Sequence, residues 1–521
     1  MVAASELDID ESATAIEMAE EIFGDGVTVV SASYDGDNDS SGIYTGGDTT
    51  SPGVVPGDSG VILSTGDAAD FTNSSGQSNQ SNSTSTNTSG DNNNPDFNEA
   101  AGTRTYDASV LEVDFIPDSD TMTMQFVFSS EEYPEYVNSI YQDVVVVWIN
   151  GEQVELAVGN GDADPGNVNS TNNENLYIDN TGDQYNTEMD GFTVTMTLTM
   201  PVVPGEVNTI QIGIADVGDS SYDSNLLIAG DSVQTNLVAQ TDSATVYPNG
   251  TVTVDVLAND NSTSGTLTIT HLNGIPVVAG DSVVLNTGQT ITLNADGTIS
   301  IAGDGDIEDF NFTYGVSNGT NNDTAFVEVS SIPCFVAGTM ILTPDGEVPV
   351  ETLRAGDLVR TQDDGDCPVR WAGQRSVDAQ GDLAPIRIRA GTFGPHRELL
   401  VSPQHRVLIR DSLAELLFGD GEVLVAAKDL LNDRSVTRNT GGQVTYVHLM
   451  FDKHQVIYSQ GLETESFLPG PQTTSCFERP LVEEICRIFP ELDPMTGQGY
   501  GSAARRTLRS YEARLLMAQA A

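Results

Sequence analysis

The chain changes its chemistry at residue 334. Residues 1–333 hold no cysteine, no lysine, a single arginine (Arg104) and a single histidine (His271), beside 52 acidic side chains. From Cys334 onward come all four cysteines, the other four histidines and 19 of the 20 basic residues, against 25 acidic ones. Two stretches this different belong to separate folding units. A cysteine standing as the first residue of the second points to chemistry on the peptide bond just before it.

With 521 residues the chain is too long for one core, and two to four domains are expected. Most of the net charge of −57 falls before Cys334. So acidic a front half argues against nucleic-acid partners and against anionic membrane surfaces. It fits a secreted, salt-tolerant or calcium-loaded protein, and equally a charge that serves solubility alone. The start MVAASELDIDES lacks a basic and then apolar leader, so export without an N-terminal signal peptide is expected. The longest apolar runs, such as VVVVWI at 144–149, are strand-sized, and no membrane span is expected. Cysteines at 334, 367, 476 and 486 fit neither a zinc spacing nor a disulfide scaffold.

Residues 8–24 (DIDESATAIEMAEEIFG) read as one amphipathic helix capped by Asp8 or Asp10. Strands follow at 27–33, 110–115, 121–128, 143–149, 192–200 and 207–214, bounded by Gly, Asp, Asn and Pro. The Ser/Asn/Thr/Gly-rich residues 72–94 read as a disordered or poorly ordered loop. Short, evenly spaced strands over about 237–330 predict a sandwich. Strands continue from 334 to about 470, and 481–520 reads as helical. The fold class is therefore mainly β. The expected domains are an acidic sandwich-like one over 1–236, an Ig-like sandwich over 237–330, an all-β one over 331–475, and a short helical tail over 476–521.

Breaking the Pro333–Cys334 bond needs a thiol beside it, a base for its proton, a donor to the oxyanion and a frame for the amide. Covalent structure supplies the proximity. An N-to-S shift gives a thioester that water or another nucleophile opens. VSPQHRVLI offers Ser402 and His405, and YVHLMFDKHQVI offers His448, Asp452 and His454. Each alone is weak: a lone histidine is more often structural, and a lone cysteine is more often a small buried hydrophobe.

Together these runs resemble Hint domains, the self-processing modules of Hedgehog proteins and inteins. CFVAGTMILTPDGEVPVETLRAGDLV has the opening cysteine, Gly-Thr, strand, turn and Gly-Asp-apolar-Val of that family. Ser402-Pro403-Gln404-His405 stands for its Thr-x-x-His, and Tyr446 to His454 is similar to its late Tyr-x-Leu-x-Val-x-Asp-x-His motif. Residues 334–470 most resemble the bacterial Hint-type domains at the C-terminus of large acidic proteins of marine α-proteobacteria. The resemblance implies Cys334 as nucleophile, His405 on the scissile amide nitrogen, and Ser402 orienting the same peptide. His454 or His448 would act later, and Gly338 and Thr339 would be structural. No Asn follows His454, so the His-Asn end that splicing needs is missing. Cleavage or thioester transfer is expected instead, with no cofactor required. The Pro333 carbonyl is a hindered electrophile, and nothing identifies a sterol-binding region.

FVFSSEEYPEYVNSIYQDVVVVWING at 126–151 and IADVGDSSYDSNLLIAG at 214–230 resemble the choice-of-anchor L domain of secreted and surface bacterial proteins. These runs concentrate Glu131, Glu132, Asp143, Asp216, Asp219 and Asp223, a carboxylate set compatible with calcium. TVTVDVLANDNSTSGTLTIT resembles bacterial Ig-like or cadherin-like repeats, and Asp255, Asn259 and Asp260 there are weaker calcium candidates.

Two readings stay open. One is a secreted or surface protein that cuts its own chain before Cys334, releasing or transferring its acidic part. The other is a non-catalytic surface protein with an inactive Hint fold, binding cell-surface or matrix partners. A hydrolase of other molecules is a third, weaker reading, with no GxSxG, P-loop or zinc signature behind it.

Overall fold

From Leu111 to Pro117 every second side chain is buried, and Leu111, Val113 and Phe115 enter one core. A two-residue period of this kind makes a strand with one covered face. The computed structural model describes residues 2–468 other than 82, 138, 140, 155–163, 247–249, 305–309, 331–333, 380–383 and 433, together with 489, 503–508, 513 and 516. They fall into two compact units. One comprises Met1–Asp242, Asp255–Ser300 and Phe310–Glu328; the other comprises Ser243–Val254, Ile301–Asp309 and Val329–Ala521.

In the first unit, Thr105–Pro117 belongs to an antiparallel sheet in the order Val27–Asp35, Thr105–Pro117, Asn208–Val217, Val144–Ile149, Glu152–Val154. A second sheet runs Asp8–Asp10, Ser41–Thr45, Ser59–Ser64, Ser224–Ala229, Thr121–Ser130, Gly191–Thr193, Tyr177–Asp179. Phe115, Ile210 and Ile212 of the first sheet share a core with Phe126, Phe128, Leu226 and Ile228 of the second. This is the layering of a β-sandwich.

The N-terminal helix is shorter than its sequence pattern. It spans Ala15–Ile22, and Asp8–Asp10 is instead a strand on Ser41–Thr45. Thr14, not Asp8 or Asp10, is the cap. Its hydroxyl accepts from Glu17 N (3.4 Å), and the Glu17 carboxylate accepts from Thr14 N (2.9 Å). That reciprocal box fixes the first turn and aims Met18, Ala19 and Ile22 inward. Thr14→Ala is expected to cost about 1 kcal/mol, measured as a lower midpoint of thermal unfolding.

The described residues of 72–94 form a loop with no helix or extended strand. The described part is docked through its backbone amides: Gln80 N donates to Glu188 (2.9 Å), Thr84 N to Glu131 (3.2 Å), and Thr86 N to both oxygens of Asp223 (2.9 and 3.0 Å). A segment too polar to bury a core of its own is held by buried carboxylates.

The Ig-like strands of this unit include Thr268–Leu272, Phe310–Ser317 and Asn322–Ser330 in one sheet, and the pair Ser282–Val284 and Thr290–Leu293 in another. Their core holds Leu272, Ile291, Phe312, Tyr314 and Val316. They are joined to the first sandwich by Asn175, which donates to Thr287 and to the Asn311 carbonyl (both 2.9 Å), and by Phe326, packed against its core. Most of the Ig-like strands therefore belong to the first unit.

The second unit has two main sheets. The first runs Trp371–Asp378, Gln443–Met450, Phe335–Val336, Leu399–Val401, Ile386–Ile388, Val436–Arg438. The second runs Gly346–Pro349, Met340–Thr343, Val456–Ser459, Leu462–Glu465, Arg406–Arg410, Glu422–Ala426, Arg506–Thr507. Phe335, Val401, Leu449, Ile341, Val407, Val425 and Ile457 meet in one apolar core. Ser412–Phe418 is a helix where strands were expected; Asp411 caps its start, and Gly419 in the left-handed region (φ 75°) ends it. Most of the C-terminal tail, including Cys476 and Cys486, lies outside the described residues. Arg506–Thr507 is a strand, parallel to Glu422–Ala426, rather than helix; Ala513 and Leu516 are helical and buried.

Candidate active site around Cys334

Strand register builds this site. Phe335 pairs with Val447 on one side and Val401 on the other. In an antiparallel ladder the next pair along sets Cys334 opposite His448 and Ser402. Its Sγ lies 3.5 Å from His448 Nε2. Its backbone N, the nitrogen of the bond to Pro333, donates to Ser402 Oγ at 2.7 Å, and its carbonyl accepts from Ser402 N at 3.0 Å. Pro333 itself lies outside the described residues.

His448 is 5% exposed, with Trp371 stacked at 6.4 Å and Phe467 edge-on at 5.4 Å. Thiol and imidazole thus face each other with both side chains largely buried. Gly338, at φ 90°, turns the chain after the strand Phe335–Val336, and its N–H donates to Glu351 (2.7 Å). Thr339 N closes the same turn on the Val336 carbonyl (3.0 Å). Both roles are structural.

His405 is carried on the turn that starts at Ser402, its N–H donating to the Ser402 carbonyl (3.1 Å). Its ring packs 4.3 Å from that of Phe335. The imidazole is buried, and neither ring nitrogen has a hydrogen-bond partner among the described residues. Desolvation pulls its pKa down to about 4, opposed by the Glu465 carboxylate and helped by Arg406, His448 and His454. The backbone nitrogen of Cys334 is thus bonded to Ser402, one of the two residues the motif placed at this peptide, and not to the ring of His405.

The other two candidates stand elsewhere. His454 uses both nitrogens: Nδ1 accepts from Ala504 N (2.9 Å), and Nε2 faces the Ser466 carbonyl (3.0 Å) and Glu465 (3.4 Å). Asp452 is 63% exposed and pairs with Arg370 (2.7 Å), a surface ion pair worth about 0–1 kcal/mol.

Glu465 was missed by sequence reasoning. It is fully buried and accepts from Arg406 N (2.9 Å). Burial pushes its carboxyl up, but Arg406, His454 and His405 outweigh that and hold it at about 2. Strand alternation from buried Leu462 and Thr464 would turn Glu465 outward, so no sequence signal exposed it.

In the first unit, Glu131, Glu132, Asp143, Asp216 and Asp223 are all buried at strand ends, while Asp219 is exposed. Glu132 accepts from Asp143 N (3.2 Å); Asp143 accepts from Val217 N (3.0 Å) and Ser224 Oγ (2.6 Å). One oxygen each of Glu131 and Asp216 has no hydrogen-bond partner among the described residues. Desolvation, reinforced by neighbouring carboxylates, raises Glu132 to about 10, and desolvation raises Asp143 and Glu131 to about 8 and Asp223 to about 7. Among the described residues no three His, Cys, Asp or Glu side chains are grouped so as to hold a metal ion. Asp260 serves to pin the middle sandwich, accepting from Gln240 N (2.8 Å) and Tyr314 OH (2.9 Å). No helix among the described residues is long and apolar enough to cross a membrane.

Comparison with known families gives three matches along the chain. The choice-of-anchor L profile matches residues 7–234, the bacterial Ig profile 234–330 and the Hint profile 333–471. No curated protein matches the chain. Among solved structures it is similar to the bacterial intein-like domain from Clostridium thermocellum, at 20% identity over 26% of this chain and 97% of that one, with a TM-score of 0.19. It is also similar to the gp41-1 intein, at 14% identity over 25% of this chain and 97% of that one, with a TM-score of 0.17. The chain carries, in order, a choice-of-anchor L domain, a bacterial Ig domain and a Hint domain.

Proposed function

We propose that the Hint domain cuts its own chain once, at the Pro333–Cys334 bond. One observation carries the reading: the Cys334 thiol faces an imidazole while the amide nitrogen of the same residue sits on a serine hydroxyl. His448 takes the thiol proton, and Sγ adds to the Pro333 carbonyl carbon. The tetrahedral intermediate collapses as the C–N bond breaks. Ser402, 2.7 Å from that nitrogen, passes a proton to the departing amine and is reprotonated from the His448 imidazolium, directly or through water. The product is a thioester between Pro333 and Cys334. Water or another nucleophile then opens it, freeing the thiol and leaving the acidic front half as a carboxylic acid or a conjugate.

The anchor-type domain supports a secreted or surface location, with the released part meeting partners at the cell surface or in the surrounding matrix. No cofactor is needed for the cleavage.

The test is intact mass spectrometry of the purified chain beside Cys334→Ala, with and without dithiothreitol. Fragments of 333 and 188 residues, faster with thiol and absent from the variant, are expected. A wild-type chain that stays whole under both conditions would leave the Hint fold as an inert scaffold.

A further inference from the structure

We propose that Glu465 is a positioning residue for this cleavage, acting through its negative charge on the turn that carries His405. The inference rests on the self-cleavage reading.

The geometry starts from the strand pairing Val407 to Thr464. It sets Glu465 across from Arg406, the residue after His405. One carboxylate oxygen accepts from Arg406 N (2.9 Å), the amide that joins His405 to Arg406. The other faces the Arg406 guanidinium (3.3 Å) and His454 Nε2 (3.4 Å). His454 is itself oriented: its Nδ1 accepts from Ala504 N, so its proton is on Nε2, toward Glu465 and the Ser466 carbonyl. The carboxylate is thus gripped from three sides.

What it serves is the unpartnered imidazole of His405. A buried ring with two idle nitrogens, packed against the residue next to the nucleophile, is poorly suited to carrying charge. Yet the proposed reaction moves a proton from sulfur to nitrogen beside it, and positive charge appears in this pocket on the way. Charged and titratable groups that act on His405 include Glu465, Arg406, His448 and His454. Glu465 alone among them is negative. A fixed anion of this kind stabilises the transient cation without reorganising during the step. Arg406, nearly a third of whose side chain is exposed, neutralises only part of that field because solvent screens it.

Two substitutions in the full chain separate charge from shape. Glu465→Gln keeps an acceptor for Arg406 N but loses the charge; Glu465→Asp keeps the charge on a shorter arm. The expected order of cleavage rates is wild type, then Asp, then Gln, with Gln slower than wild type by about tenfold or more. A merely structural hydrogen bond predicts the reverse order, because Gln preserves the acceptor and Asp withdraws it. Unfolding midpoints identify any variant whose loss is one of folding. A second readout is free of cleavage: in the Cys334→Ala background, with carbon-13-labelled histidine, Glu465→Gln lowers the His405 titration midpoint. If the wild type cleaves and Gln equals it, Glu465 has no positioning role. If the wild type never cleaves, the self-cleavage reading fails, while the titration still reports whether Glu465 acts on His405.

Discussion

Replacing His448 by Asn slows cleavage before Cys334 by about 100-fold or more, while the chain stays folded. The magnitude is that of losing a positioned proton acceptor. The direction follows from the 3.5 Å contact between Sγ and Nε2. Without the imidazole the thiol must lose its proton in a pocket closed by Trp371 and Phe467, where water is a poor substitute. Asn is preferred to Ala because His448 is packed on both sides, and an empty space there would confound kinetics with stability. The rate is read as the appearance of the 188-residue fragment after transfer to a reducing buffer. His454→Asn provides the contrast. Its two nitrogens bind Ala504, Ser466 and Glu465, so it lowers the unfolding midpoint more than His448→Asn does and slows cleavage less. A His448→Asn chain that cleaves within about threefold of wild type would remove this residue from the mechanism and return attention to His405.

The distinction between these histidines shows how far the sequence could be read. Cys334, Ser402 and His405 are legible because short motifs carry them. His448 and His454 occupy one run, and nothing in that run says which faces the thiol. The answer lies in the pairing of Phe335 with Val447, a contact between strands more than 100 residues apart. Glu465 was hidden for a related reason: local alternation gives it the wrong face, and only Arg406 on the neighbouring strand together with His454 in a separate loop explains a buried carboxylate there. At 72–94 composition points to a loop but says nothing of the amides that bond its described part to Glu131, Glu188 and Asp223. Apolar spacing stretched the first helix over Asp8–Asp10, because a three-residue edge strand has no period of its own.

The first unit unfolds at a higher temperature at pH 5.5 than at pH 8, by about 5–10 °C. Residues 1–333 contain one basic side chain other than histidine, Arg104, so carboxylates buried in the first sandwich are almost without cationic partners. Glu132 and Asp143 hold their protons to about pH 10 and 8 in the fold, against about 4 in an unfolded chain. Their folded values are raised. The native state therefore binds protons that the unfolded state has released, and stability falls as pH rises through the interval between the two values. Asp216, raised in the same direction, and Asp223, at about 7, add to the effect. These groups share one field, so their contributions do not simply sum. A total on the order of 3 kcal/mol between the two pH values is expected, and about 2–4 °C per kcal/mol for a domain of this size gives the shift. Trp148, packed edge-on against Phe97 in this unit (5.2 Å), reports it by fluorescence once the second tryptophan is removed by Trp371→Phe. Self-repulsion of a highly acidic chain acts in the same direction, so the decisive variant is Asp216→Asn. It raises the midpoint at pH 8 and flattens its dependence on pH, which general repulsion would leave intact. Calcium added at pH 8 tests whether a cation can take the proton's place: a rise in midpoint that Asp216→Asn abolishes would locate it among these carboxylates, and no rise would leave protonation as the means by which the fold tolerates them.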